Sequence, residues 1–80
     1  MLDPAELRRR IVEAIPDADV QIKDSTGTGD HFEAIVTSAS FAGMPLVKQH
    51  QLVYAPLRDL LATGELHALA LKTSAKGVAR

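Results

Sequence analysis

The side chains best suited to chemistry in this sequence are its three histidines, His31, His50 and His67, and they stand without a single cysteine. Lacking a thiol, the chain has no disulfide, no nucleophilic sulfur and no thiolate for a metal. Imidazole ligates zinc, copper and iron, so a soft-metal site here must rest on histidine. Two imidazoles make half of a four-donor shell, and the other donors would have to come from elsewhere. The isolated chain is therefore expected to carry no bound metal. For His31 and His67 the plainer alternative is a pair of exposed strand-end histidines with no chemistry.

Other features carry less. Thr26-Gly27-Thr28-Gly29 has the outline of a phosphate loop, but it lacks the lysine of a Walker sequence and opens a strand rather than a helix. A hairpin connection accounts for it. Ser38 and Ser40, with Asp24 and a histidine, offer the residue types of a hydrolase triad, yet no nucleophile elbow accompanies them. The sequence is not expected to be an enzyme. Arg8, Arg9 and Arg10 form the only basic run; on a helix they fan over the side opposite Leu7, Ile11 and Ile15, a solvated face. Nine Lys and Arg against ten Asp and Glu give a net charge of −1, so no general field draws the chain to nucleic acid.

The elements that must position these residues follow from periodicity. Over residues 41–61, Leu46, His50, Val53, Leu57 and Leu60 recur at steps of four and three, one helix face. Pro45 opens this helix at its first position and Gly64 closes it as a left-handed stop. Pro56 lies inside, which predicts a kink or two short helices joined near Tyr54 and Ala55. His50 falls in the apolar stripe and is expected to be half-buried and structural, hydrogen-bonded to backbone.

Upstream, Asp3-Pro4-Ala5-Glu6 combines an N-cap acid, a proline at the first helical position and a glutamate placed to reach back to the cap. The helix spans 4–15, with Leu7, Ile11, Ala14 and Ile15 on one face, and Pro16 ends it. Residues 19–24 alternate around Val20 and Ile22, a strand with one buried face. After turn chemistry over 25–30, residues 31–38 form a second strand with Phe32, Ala34 and Val36 pointing one way and Glu33 and Thr37 the other, giving an antiparallel hairpin. A third strand is expected over 66–73, followed by a loose basic tail to residue 80.

The fold class is α+β: order α-β-β-α(α)-β, one domain over 1–80, with helices on one face of a three-stranded mixed sheet. Its core has little margin, because a domain of 80 residues buries only about 60 to 65% of its unfolded surface. A large enclosed active site is excluded. A helical crossover between strands two and three makes them parallel. Parallel neighbours begin at the same end of the sheet, so His67 should lie near His31 and the 25–30 loop.

With those elements placed, the sequence closely resembles the BolA family, small proteins of the class II KH-like fold. The resemblance rests on Thr26-Gly27-Thr28-Gly29-Asp30-His31-Phe32, on Ser38, Phe41 and Gly43, on Val47-Lys48-Gln49-His50-Gln51-Leu52-Val53-Tyr54 with Leu57, and on Leu66-His67-Ala68-Leu69 with Lys72-Thr73. It covers nearly the whole chain. Gly43-Met44-Pro45-Leu46 does not supply the GxxG loop of RNA-binding KH domains.

The resemblance implies an adaptor in iron-sulfur and iron homeostasis that partners a monothiol glutaredoxin. A 2Fe-2S cluster would be held only in the mixed complex, with glutathione and the glutaredoxin cysteine on one side. The family's histidine at the start of the last strand maps onto His67. Its second ligand comes from the loop between strands one and two, where Thr28 stands at the position of one subgroup's cysteine and His31 is the nearest imidazole. The family also includes stress-response proteins that act as DNA-binding regulators through the helix-turn-helix part of the fold. Here that surface would comprise Lys48, Gln49, Gln51 and Arg58, with Lys72, Lys76 and Arg80 in support, too few cations to neutralise many phosphates. No apolar run approaches the roughly 20 residues that cross a bilayer, and the N-terminus lacks a secretory pattern, so a cytoplasmic monomer or weak dimer is expected.

Overall fold

The computed structural model describes residues 2–24 and 31–75. The expected turn over 25–30, with Thr28 and Asp30, and the end of the tail, with Lys76 and Arg80, lie outside the described residues. The elements follow in order: α1 (Pro4–Ala14), β1 (Asp19–Asp24), β2 (His31–Ser38), a 3-10 turn (Ala39–Phe41), α2 (Leu46–Tyr54), a second 3-10 turn (Ala55–Leu57), α3 (Arg58–Thr63) and β3 (Ala68–Ala75).

The N-cap of α1 forms as its sequence dictates, the Ala5 amide donating to Asp3 Oδ1 at 2.9 Å. Glu6, however, does not reach back to the cap. Its carboxylate accepts from Arg9 at 2.7 Å and Arg10 at 3.0 Å, and these guanidiniums, Arg9 first, hold it down to about 2. Two cations one turn on outcompete a neutral amide hydrogen already close to Asp3. Leu7 and Ile11 are fully buried, and Ile15, the C-cap, is nearly so. Ala14, expected on that face, is exposed.

Pro56 breaks the central stretch where it should, between α2 and α3, through a turn whose Leu57 is buried. Gly64 closes α3 at φ 85°, the left-handed region that favours glycine. Two details differ from expectation. Pro45 is the N-cap rather than the first helical residue. Leu46 is 58% exposed, so the stripe is buried at Val53, Leu57 and Leu60 but not at its start.

The sheet order is β1-β2-β3, with β1 antiparallel to β2 and β2 parallel to β3. Phe32, Ala34, Val36 and Ser38 lie buried beneath the helices, and the register sets Leu69, Leu71, Thr73 and Ala75 beside them. Alternate positions, among them Gln21, Lys23, Ala70 and Lys72, are exposed on the other face. The third strand is displaced two residues from the expected 66–73. Leu66 belongs to the core, its amide donating to the Leu60 carbonyl at 3.1 Å, and pairing continues to Ala75, so residues 74–75 are strand rather than tail.

Ser38 and Ser40 have a structural task. Ser38 Oγ donates to Asp17 Oδ1 at 2.7 Å and accepts from the Ser40 amide at 3.0 Å, while the Ala39 amide donates to Asp17 Oδ2 at 2.8 Å. Asp17 and the serines thus cap the 3-10 turn that leads out of β2, and the hydroxyl of Ser38, with the backbone donor, lowers the Asp17 carboxyl below its ordinary value. Ser38→Ala is expected to cost about 1 kcal/mol, within the usual range for a lost cap. A carboxyl lowered by folding stabilises above its unfolded value of about 3.9 and loses that contribution as pH falls through its folded one. The gap between parent and variant urea midpoints should accordingly narrow from about pH 6 to about pH 2. A gap that holds constant with pH would remove Asp17 from the explanation.

Candidate functional site

The convergence of His31 and His67 expected from topology is realised at one end of the sheet. β2 begins with His31, whose register partner is Ala68, and His67 immediately precedes it. The two rings meet edge to face, centroids 5.7 Å apart and planes at 86°. His67 is exposed and His31 half-buried, so the pair is open to a second molecule.

Gly64 ends α3 just ahead of this arrangement, and a side chain there would be strained by its φ of 85° rather than by want of space. A Cβ built on Gly64 would sit 3.8 Å from His67 Nε2, an ordinary van der Waals distance. Leu66, buried between them, anchors the segment to the core.

Two imidazoles supply half of a tetrahedral donor set. Among the described residues, no group of three or more His, Cys, Asp or Glu side chains is placed to hold a metal ion. Thr28 lies outside the described residues.

The other candidate residues do not gather into one surface. Lys48 and Gln51 are exposed on α2, and Arg58 at the start of α3. Lys72 is exposed on the opposite face of the sheet, because it alternates with Leu71 and Thr73 beneath the helices. Gln49 is corrected from a reading residue to an internal one. Its Nε2 donates to the Met44 carbonyl at 2.8 Å and its Oε1 accepts from the Thr73 hydroxyl at 2.6 Å, which ties α2 to β3. Of the basic run, Arg9 pairs with Glu6 and Glu13, and Arg10 reaches across to Asp59 at 2.7 Å and the Pro56 carbonyl at 3.2 Å. These bonds use the cations to brace α1 and its junction with α3.

His50 is half-buried as expected, but the backbone hydrogen bond assigned to it is corrected. Its described contact is the edge of the Tyr54 ring, centroids 6.4 Å apart, and the Tyr54 hydroxyl in turn donates to the Leu69 carbonyl at 3.3 Å. With Leu46 out in solvent, the stripe at His50 is open on one side, and the imidazole needs no backbone acceptor.

A family model described as BolA-like protein matches residues 7–77. The chain belongs to the BolA-like family. The acid stress protein IbaG of Escherichia coli K12 is 33% identical over 67 residues, 84% of this chain and 76% of IbaG. An uncharacterized protein of Haemophilus influenzae is 49% identical over 47 residues, a match that spans 59% of this BolA-like chain and about half, 55%, of that relative. Among solved structures, BolA1 from Arabidopsis thaliana is similar with a TM-score of 0.82 and 31% identity, covering 96% of this chain and 95% of BolA1. Yeast Fra2 is similar with a TM-score of 0.73 and 28% identity, covering 94% of this chain and 81% of Fra2. The α+β fold with its mixed sheet is thus the BolA fold. Among the described residues no helix is long and apolar enough to cross a membrane.

Proposed function

We propose that this BolA-like protein is a non-enzymatic, cytoplasmic adaptor that partners a monothiol glutaredoxin and shares a 2Fe-2S cluster with it. The observation that carries the reading is the edge-to-face pair of half-buried His31 and exposed His67 at one end of the sheet. In the mixed complex His67 and His31 would supply imidazole nitrogen to one iron, while the glutaredoxin cysteine and glutathione would supply thiolates to the other. Membership of the BolA-like family supports the reading. The test is the visible absorption and circular dichroism of this protein mixed with a monothiol glutaredoxin, iron, sulfide and glutathione. A spectrum distinct from that of the glutaredoxin alone is expected. No change on adding this chain would overturn the reading.

DNA binding, the alternative that the family allows, is expected to be weak and without sequence preference. The net charge is −1, Gln49 is committed inside the fold, and Lys72 lies on a different face from Lys48, Gln51 and Arg58. Titration of a labelled duplex against rising salt decides this. Submicromolar, sequence-selective binding at about 150 mM salt would make DNA the primary partner.

A further inference from the structure

We propose that the outer edge of β1 pairs with β1 of a second copy of this chain, antiparallel about a two-fold axis at Gln21, joining the two sheets. β1 ends the sheet, and its one partner among the described residues is β2. In a pairing centred on Gln21, Asp19 stands opposite Lys23 of the second copy and Lys23 opposite its Asp19. Unlike charges therefore face each other twice on the open side of the sheet. Val20 stands opposite Ile22, twice, on the side that the helices cover, and Gln21 meets Gln21. The strand is self-complementary in charge and in polarity.

Register gives this arrangement its selectivity. A slip of one residue would set Asp19 against Asp24 and Val20 against Lys23, and would throw the two helix layers onto opposite faces. Val20 and Ile22 are only half-buried in one chain. Beside them a groove of about 450 Å³ runs between the edge of β1 and Pro4, Ala5 and Arg8 of α1. A second copy would cover these apolar side chains. At the other edge of the sheet, the Leu69 carbonyl of β3 accepts from Tyr54, and Lys72 is exposed in mid-strand with no opposite charge in register.

A contact built mainly on a six-residue strand is small beside a stable interface, so the dimer is weak and depends on concentration. The histidine pair lies at the starts of β2 and β3, away from this edge. The test therefore does not depend on the cluster reading.

Sedimentation velocity of the full chain from about 10 µM to about 1 mM measures the association. The parent should shift from monomer towards dimer across that range. Asp19→Lys and Lys23→Asp should each weaken self-association about tenfold or more, since each creates two like-charge pairs. An equimolar mixture of the two variants should recover it, the basic edge of one meeting the acidic edge of the other. Circular dichroism checks the fold. Should a single variant misfold, the double variant Asp19→Lys/Lys23→Asp, which keeps the complementarity, should dimerise like the parent. A parent that stays monomeric to about 1 mM, variants that associate as the parent does, or a mixture that fails to recover would overturn the proposal.

Discussion

His67→Ala is expected to abolish the distinctive spectrum of the mixed cluster while leaving the fold intact. His67 is exposed and lies ahead of β3, so truncating it opens no core cavity and should move stability by no more than about 0.5 kcal/mol. What it removes is the more accessible of the two imidazoles. His31 alone cannot complete the pair, and the iron facing this chain would lose a donor. His31→Ala should weaken or alter the spectrum less severely, because other donors or water can enter from the loop side. His50→Ala is the control: its ring contacts Tyr54 rather than the sheet end, and the mixed cluster should assemble nearly as in the parent.

Acidification should act in the same direction as His67→Ala, since a protonated imidazole has no lone pair for iron. Imidazole in place of thiolate also removes negative charge, which raises the potential of the cluster as in Rieske centres. Absorption and circular dichroism of the complex, recorded for each variant along a falling pH series, separate these effects. If spectrum and pH response survive His67→Ala unchanged, the ligand assignment is wrong. If His31→Ala alone is silent, the second donor is Thr28, Asp30 or water.

The parts of this molecule legible in the sequence are those set by local rules. Asp3 and Pro4 start α1, Pro56 divides the central helix, Gly64 ends it, and strict alternation bounds β1 and β2 at the observed residues. The meeting of His31 and His67 was legible too, because a parallel crossover leaves little choice about where two strand starts lie. What local rules do not fix is competition between partners. Glu6 had two claimants, a cap amide and a pair of guanidiniums one turn on, and the charged pair prevails. Gln49 looked like a surface residue because glutamine usually is one. Its side chain is taken up by the Met44 carbonyl in the loop ahead of α2 and by Thr73 in β3. The third strand slipped because Leu66 and His67 are as apolar in pattern as a strand start, while the hydrogen bond from Leu66 back to Leu60 keeps them in the turn.

Leu57→Ala is expected to bring the whole domain to the margin of stability. Leu57 is fully buried in the turn between α2 and α3, within the cluster that includes Ile11, Phe32, Val53 and Leu60. Its neighbours are fixed from several directions: Pro56 sets the break, and Arg10 holds the Pro56 carbonyl from α1. Such a site cannot collapse around a smaller side chain, so the loss should lie in the upper part of the roughly 2 to 5 kcal/mol seen for buried Leu→Ala changes. An 80-residue domain has a total of about 4 to 12 kcal/mol to lose. Urea denaturation followed by far-ultraviolet circular dichroism measures the change. A loss below about 1 kcal/mol would mean that α2 and α3 repack freely about the break. The turn would then be a flexible joint rather than a fixed point between α2 and α3.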